Sequence, residues 1–476
     1  MADRVLMSFT ALADAVSGRT VGPGLPPEAG FSSVCIDSRI AERGSLFVAL
    51  AGNVQDGHRF LPDAFAKGAR AALVSRSRME ADGAALTAAA APFGALLIVV
   101  ENTLTALQAA AAAYLDGFGS LLRVGITGSS GKTTTKELAA AMVGAEKRVV
   151  MNAGNLNSET GLPLSVFAVR EEHEVGIFEL GMNRVGEIGE LASVLRPHIA
   201  LVTNVGSAHI GILGSRDAIA KEKKDIFSRF SGSQAALIPE TDAYSSYLAE
   251  GVQGRVRAYG PGSLSAFGGE KSLGLDGSEV VWAGVPARLA LPGRHNVLNA
   301  LAAAAIAEEV GVGPKSIRRG METAAPLFGR GEILRGEVTV VRDCYNANPE
   351  ATEAAIEFCD SVEWQGRRVY VIGSMLELGA DSLSAHRRIC RALAESKADS
   401  VFLFGAGWEE AETELASAAR STGRPDSFRT EAIDELIRAV SESRRPGDLV
   451  LLKGSRLTAL ERLTGPLLGA SGHEGV

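Results

Sequence analysis

The sequence predicts an α/β protein of three domains, with parallel sheets in the second and third. Three observations carry this. The chain has 476 residues, and ~150 residues per domain suggests about three domains. Apolar runs of strand length alternate with alanine-rich stretches of helical character along the chain. One such run, Leu121–Thr127, enters a glycine-rich turn and then a helical pattern, the order expected in a parallel sheet.

In the first segment, residues 1–118, strands are predicted at Ser45–Leu50, Ala71–Ser75 and Ala95–Val100. A helix at Thr103–Leu115 closes this small N-terminal α/β domain, and Asp116-Gly-Phe-Gly-Ser120 follows as a linker. The uncharged run Gly83–Val100 invites comparison with a membrane span. Its first half is mostly alanine, Pro92 and Gly94 interrupt it, and a span needs ~20 strongly apolar residues. It reads as a buried helix end followed by a buried strand, with no membrane span.

The second segment, residues 119–325, begins with Leu121–Thr127. Further strands are predicted at Val175–Glu179 and Ile199–Asn204, separated by helical patterns, as in a parallel sheet covered by helices. A long alanine-rich helix starts near His295, and a loop follows around Pro326. The third segment, residues 326–476, repeats the alternation with strands at Val338–Asp343, Arg368–Ile372, Ser400–Phe404 and Leu449–Lys453. A Rossmann-like sheet is expected there. No internal repeat of solenoid period is present.

Hydrophobic residues make up 46% and charged residues 22%, which suits a soluble protein with real cores. The net charge of −8 argues against a global basic face for nucleic acid, so any phosphate site must be local. Cys35, Cys344, Cys359 and Cys390 have neither CxxC nor metal-ligand spacing. They are expected as unpaired thiols in a reducing, cytoplasmic compartment. Met1–Thr10 mixes acid and base without a long apolar core, which does not fit a signal peptide.

The strongest local signal is Gly125-Ile-Thr-Gly128-Ser129-Ser130-Gly131-Lys132-Thr133-Thr134. Backbone N–H groups of such a turn face a phosphate at the positive end of the following helix. Lys132 supplies a point charge to the β- and γ-phosphates, and the Thr133 hydroxyl can reach Mg²⁺. The usual spacing would put the first glycine at position 126, which is Ile126 here; Gly128 opens a shorter loop instead. The central domain is therefore expected to be P-loop ATPase-like. The loop indicates a nucleoside triphosphate and leaves the reaction open.

Other candidates lie downstream. Glu179 ends an apolar strand, where a carboxylate borders the ligand crevice of a parallel sheet or simply caps a solvated end. His209, in Asn204-Val-Gly206-Ser-Ala-His209, is a metal ligand or a structural histidine. Lys221, Lys223 and Lys224 form a basic run whose ordinary meaning is a solvated helix face.

Taken together these motifs exceed a generic phosphate-loop protein. Thr127–Thr134, Asn152-Ala-Gly-Asn155-Leu-Asn157, Glu179-Leu-Gly-Met, the Asn204–His209 run, Ala220–Phe227 and Gly293-Arg-His295-Asn296-Val-Leu-Asn299-Ala300 occur here in the order found in the Mur ligases. The sequence resembles that family along essentially its whole length. Tyr345-Asn-Ala-Asn348-Pro349, and Met375-Leu-Glu-Leu-Gly379 followed by His386, are most similar to the branch that adds a D-alanyl-D-alanine dipeptide. Asp37-Ser38-Arg39, Leu46–Leu50 and Asp56-Gly-His58 are shared with the branch that adds one diamino acid, and no D-N-P-R motif of the diaminopimelate enzymes is present. Two positions depart from the family: Arg342 and Ser374 each stand where aspartate is usual.

The resemblance implies an ATP-dependent ligase of cell-wall precursor synthesis. It would phosphorylate the terminal carboxylate of UDP-N-acetylmuramoyl-tripeptide, and the amine of D-alanyl-D-alanine would attack the acyl phosphate. By resemblance, Lys132, Glu179, His209 and Lys223 are catalytic. Thr133, Glu179, His209 and Lys223 surround Mg²⁺, with Lys223 as a CO₂-derived carbamate. Gly128 to Thr134, Asn296, Asn299, Arg330 and Asp343 would hold ATP. Asp37, Ser38 and Arg39 would meet the UDP end, and Asn155, Asn157 and Ser158 the muramoyl-peptide. Lys453 would meet the dipeptide carboxylate. A monomer is expected. The rival expectations are a single-amino-acid ligase and an ATP-binding regulator without ligase activity.

Overall fold

The computed structural model describes residues 4–52, 55–422 and 425–469. The extreme ends of the first and third predicted segments, 1–3 and 470–476, lie outside the described residues. Three α/β domains follow one another, each centred on its own sheet.

The first sheet orders its strands Arg19–Val21, Leu96–Val100, Ala71–Ser75, Ser45–Val48 and Ser33–Cys35. All neighbours are parallel except the Arg19–Val21 edge. The uncharged run divides into a helix end and a strand, but only the strand Leu96–Val100 is wholly buried; the helix Arg76–Ala90 buries just Leu86 and Ala90 and leaves its small alanines largely at the surface, where a buried helix end was expected. Among the described residues no helix is long and apolar enough to cross a membrane.

The central sheet is parallel throughout, in the order Arg255–Tyr259, Ala235–Pro239, Ile199–Val202, Leu122–Thr127, Val175–Glu179 and Val149–Met151. Leu122–Thr127 enters the domain in the middle, between two later strands. Its carboxyl end therefore opens at the topological switch point, where such sheets bind ligands. A small antiparallel sheet, Phe267–Ser272, Ser278–Trp282 and Val285–Leu289, follows. It was not expected, and its Trp282 is fully buried in the core beneath the central sheet.

The alanine-rich helix runs Arg294–Val310. Its small side chains let it pack against the helix Lys132–Gly144 that the phosphate loop opens. The third sheet orders Glu332–Arg335, Thr339–Asp343, Leu449–Lys453, Arg368–Gly373, Ser400–Phe404 and Asp426–Thr430, antiparallel only at its first edge. All four cysteines are buried and unbridged.

The domains meet in two ways. One continuous apolar core runs from the first domain into the central one. Within it the Phe31 ring meets Phe167 edge-on at 5.7 Å between centroids, and the Tyr114 ring lies 5.2 Å from Phe167. The Tyr114 hydroxyl donates to Val169 O at 2.7 Å, so its polar end is satisfied at little cost. The third domain has its own cores, against one of which Ile210 and Leu275 of the central domain pack, and it otherwise faces the central domain across a cavity.

Candidate functional site

The cavity has a volume of about 630 Å³ and is walled by both the central and third domains. Its floor is the phosphate loop. Gly128 has φ +151°, and a Cβ there would lie 1.7 Å from Thr203 Oγ1; Gly131 has φ +78°, and a Cβ there would lie 2.3 Å from Asn299 Oδ1. Both positions therefore require glycine on conformation and on space.

The loop is held in shape by contacts within the protein. Ser130 N donates to Asn204 Oδ1 at 3.0 Å, Thr203 Oγ1 donates to Ser130 O at 2.6 Å, and Gly206 N donates to Ser129 Oγ at 2.8 Å. Lys132 Nζ folds back onto Gly128 O at 2.8 Å. Burial pulls the Lys132 ammonium below its usual range; Glu179 acts against this and Arg330 adds to it.

Beside the loop, Thr133 Oγ1 donates to Glu179 Oε2 at 2.7 Å and Asn157 Nδ2 donates to Glu179 Oε1 at 2.6 Å. Glu179 is 2% exposed. Its backbone N–H donates to Asn152 Oδ1 at 3.0 Å, and the Asn152 amide returns a bond to Glu179 O at 3.1 Å. Asn152 O in turn accepts from the fully buried Lys136 Nζ at 2.6 Å. The sequence reading did not single out Lys136, because a lysine inside a helix carries no pattern that marks it as buried.

Of the three neighbouring lysines, Lys221 is exposed, Lys224 is half-buried and Lys223 is only 1% exposed. Burial drives the Lys223 ammonium well below its usual range, the nearby charge of Lys132 adds to this, and Glu222 opposes it. The Lys223 ammonium has no hydrogen-bond or ion-pair partner among the described residues. Glu222 accepts from Gly186 N and Ile188 N and so ties this helix to the first turn of another, Glu187–Leu195.

His209 lines the cavity in a left-handed backbone conformation, φ 64°. Its Nδ1 lies 2.7 Å from Oε2 of Glu377, in the third domain. Asn296 and Asn299 also line the cavity. Asn296 Nδ2 donates to Pro292 O at 2.8 Å, and Asn299 Nδ2 donates to Asn296 Oδ1 at 3.2 Å.

The third domain supplies Arg330, Asp343, Tyr345, Asn346 and Lys453 to the opposite wall. Lys453 Nζ lies 2.9 Å from Asp343 Oδ2 and donates to Asn346 O at 2.8 Å. Arg330 stacks over the Tyr345 ring at 4.2 Å. The two departures from the family pattern face elsewhere. Strand alternation turns Arg342 away from Asp343, onto Glu332 at 2.8 Å and over the Phe328 ring at 4.4 Å. Ser374 Oγ donates to the backbone at Phe404 O and Ala406 O. Each is buried and satisfied, and neither lines the cavity.

The remaining candidates stand apart. Asp37, Ser38 and Arg39 lie in the first domain, outside this cavity. Asp37 caps the short helix Ser38–Ile40, and Arg39 holds the Asp37 carboxyl at about 2. Ser158 accepts from Gly161 N at 3.2 Å at a helix start, while Asn155 and Asn157 line the cavity. His386 is structural. It donates from Nδ1 to Ser382 O, accepts from Met375 N at Nε2, and meets the Trp408 ring edge-on.

The donor set fits Mg²⁺ accompanying a nucleotide better than a freestanding metal. Thr133 and Glu179 offer hard oxygens side by side, and no cluster of three or more metal-ligating His, Cys, Asp or Glu side chains exists among the described residues. Mg²⁺ typically keeps waters and takes one or two carboxylates plus phosphate oxygens.

The chain matches the Mur ligase middle domain over residues 126–307, the Mur ligase glutamate ligase domain over 329–456 and the Mur ligase catalytic domain over 31–115. It is 44% identical to the UDP-N-acetylmuramoyl-tripeptide–D-alanyl-D-alanine ligase of Treponema pallidum, over 98% of this chain and 99% of that one. It is 33% identical to the Bacillus subtilis enzyme of the same description, over 96% and 97%. A crystal structure of MurF from Acinetobacter baumannii superposes with a TM-score of 0.85 at 28% identity, covering 97% of this chain and 98% of that one. MurF ligase from Thermotoga maritima in complex with ADP superposes with a TM-score of 0.72 at 25% identity, covering 91% and 96%.

Proposed function

The chain belongs to the Mur ligase family, and we infer that it joins D-alanyl-D-alanine to UDP-N-acetylmuramoyl-tripeptide at the expense of ATP. One observation carries the reading. A phosphate loop with Thr133 and Glu179 beside it faces Arg330, Asp343 and Lys453 across one cavity shared by two domains. Relatives that make this product span nearly the whole chain.

The chemistry explains the residue types. A carboxylate is a poor electrophile, so a phosphoryl group must first turn one of its oxygens into a leaving group. In that step the substrate carboxylate attacks the γ-phosphorus, one anion approaching another, and ADP leaves with the bonding electrons. Lys132, on the loop beneath them, offsets their repulsion. The dipeptide amine attacks the acyl carbon, phosphate leaves with the bonding electrons, and the amine proton passes to solvent or a nearby base. Enclosure between the two domains keeps water from competing for the acyl phosphate.

Thr133, Glu179 and His209 would hold Mg²⁺, which when bound supplies further charge neutralisation between the two anions. A bare Lys223 ammonium does not fit beside a cation. Burial favours its neutral amine, which attacks CO₂ to give a carbamate and release a proton; the carbamate brings the charge and oxygens of a carboxylate. Gly128 to Thr134, Asn296, Asn299, Arg330 and Asp343 are assigned to ATP. Asn155, Asn157 and Ser158 are assigned to the muramoyl-peptide, Asp37, Ser38 and Arg39 to the UDP end, and Lys453 to the dipeptide carboxylate. We place the domain boundaries near residues 118 and 325, and take the protein to act as a cytoplasmic monomer.

The experiment is an amine competition. The purified protein receives ATP, Mg²⁺, UDP-N-acetylmuramoyl-tripeptide and an equimolar mixture of D-alanyl-D-alanine, lysine and diaminopimelate, and the products are weighed by mass spectrometry. A pentapeptide precursor as the dominant product supports the reading. Addition of a single amino acid would overturn it.

A further inference from the structure

The loop that carries His209 is held from outside its own domain. It runs from the end of strand Ile199–Val202 into the one-turn helix Ile210–Leu213. Two third-domain carboxylates grip it on either side of the histidine. Glu350 Oε2 accepts from Ser207 N at 3.1 Å and from Ser207 Oγ at 2.8 Å. Glu377 Oε2 lies 2.7 Å from His209 Nδ1, and Glu377 O accepts from Gly211 N at 3.0 Å.

The backbones also touch there. A Cβ on Gly211 would lie 2.3 Å from Gly379 N, so the two chains meet without room for a side chain. Glu377 itself takes a left-handed conformation, φ 64°, which a residue with a Cβ adopts only when the surroundings impose it. The strained residue is the one whose side chain reaches across to the histidine.

We propose that Glu377 is the positioning residue for His209, so that this side chain is aimed into the cavity only while the third domain is docked along the Gly211–Gly379 seam. The Glu377 carboxylate, at ion-pair distance from Nδ1 though off the line of a hydrogen bond in this structure, favours the imidazole tautomer with the proton on Nδ1 and leaves Nε2 as the free acceptor. With its ring oriented from across the seam, His209 becomes a sensor of docking. The site is complete when the domains are together and incomplete when they part. The inference rests on the reading of His209 as a member of the site.

The test uses three full-length variants. Glu377→Asn tolerates the left-handed backbone and is too short to reach His209. Glu377→Gln keeps the reach and an accepting oxygen. His209→Ala reports whether the histidine matters at all. Nitrogen-15 NMR of histidine-labelled, metal-free protein reads the tautomer directly; His209 is assigned among the seven histidines by its absence in His209→Ala. Expected is an Nδ1–H tautomer in the parent and in Glu377→Gln, lost in Glu377→Asn. Turnover should fall roughly 10–100-fold in Glu377→Asn, with little change in KM for the dipeptide and recovery in Glu377→Gln. An unchanged tautomer in Glu377→Asn would overturn the proposal, as would full turnover in Glu377→Asn while His209→Ala is impaired. Full turnover in His209→Ala would instead overturn the reading of His209 on which the proposal stands.

Discussion

The two domain interfaces of this molecule differ in what dominates them. The first and central domains share a continuous apolar core, centred on Phe31, Tyr114 and Phe167. The central and third domains face each other with Lys132, Glu179 and His209 on one side and Arg330, Asp343, Lys453 and Glu377 on the other. Burying apolar surface yields stability in proportion to area and no direction. Polar groups across a cavity yield direction and little net stability. The first interface therefore acts as a fixed weld and the second as a contact that can be made and unmade around a ligand.

The comparison predicts that substitutions at the polar interface change activity and spare stability, and that those at the apolar interface do the reverse. Lys223 does not line the cavity but lies buried within the field of Lys132 on its floor, and Lys223→Ala should have the largest effect, lowering ligation at least ~10³-fold, a barrier increase of roughly 4 kcal/mol. Because a buried unpaired ammonium costs stability, the melting temperature of the CO₂-free variant should not fall. A fully active variant would remove the carbamate assignment and leave the ligase reading in place.

Phe167→Ala should show the opposite profile. Loss of a core ring that contacts both Phe31 and Tyr114 should cost about 3–5 kcal/mol in chemical denaturation. The folded fraction should keep its KM for ATP. If the first domain instead melts separately at nearly its original midpoint, the weld does not exist.

Arg342→Met sharpens the contrast within the third domain. The side chain pairs with Glu332 and covers Phe328 outside the cavity. Its loss should cost about 1–2 kcal/mol of stability and leave turnover within about twofold.

A smaller effect belongs to the first domain alone. Burial pushes the Asp56 carboxyl upward, but hydrogen bonds from His58 and Arg78 outweigh it and hold the group at about 2. The folded value is depressed below the ordinary ~3.9. Its stabilising contribution is therefore present above pH ~4 and lost as the pH falls towards 2. Urea midpoints measured across that range should drop less steeply in Asp56→Asn than in the parent.

Much of this was legible in the sequence, for identifiable reasons. The buried parallel strands announce themselves as unbroken apolar runs, as in Val175–Glu179 and Leu449–Lys453. The phosphate loop is legible because its chemistry is local, confined to ten consecutive residues. Edge strands hid themselves. Arg255–Tyr259 and Asp426–Thr430 alternate charge or polarity with apolar residues, and Phe267–Ser272 contains two glycines that lower strand propensity. Ala235–Pro239 ends in a proline and opens with alanines, so it resembles a helix start more than an inner strand.

The candidate site divides along the same line. Thr133, Glu179 and His209 follow strands or turns that point to their position. Glu350 and Glu377 lie at a helix start and in a loop. Their partners Ser207 and His209 are 143 and 168 positions away in the chain, beyond the reach of any local pattern. Family resemblance also marked Lys223, but only burial separates it from Lys221 and Lys224.

The most direct test of the account is phosphate release from ATP, measured with UDP-N-acetylmuramoyl-tripeptide and D-alanyl-D-alanine, separately and together. Release that needs both substrates, matched mole for mole by pentapeptide product, is the predicted result. Release that is absent with both present, or that proceeds equally well without the dipeptide, would contradict it.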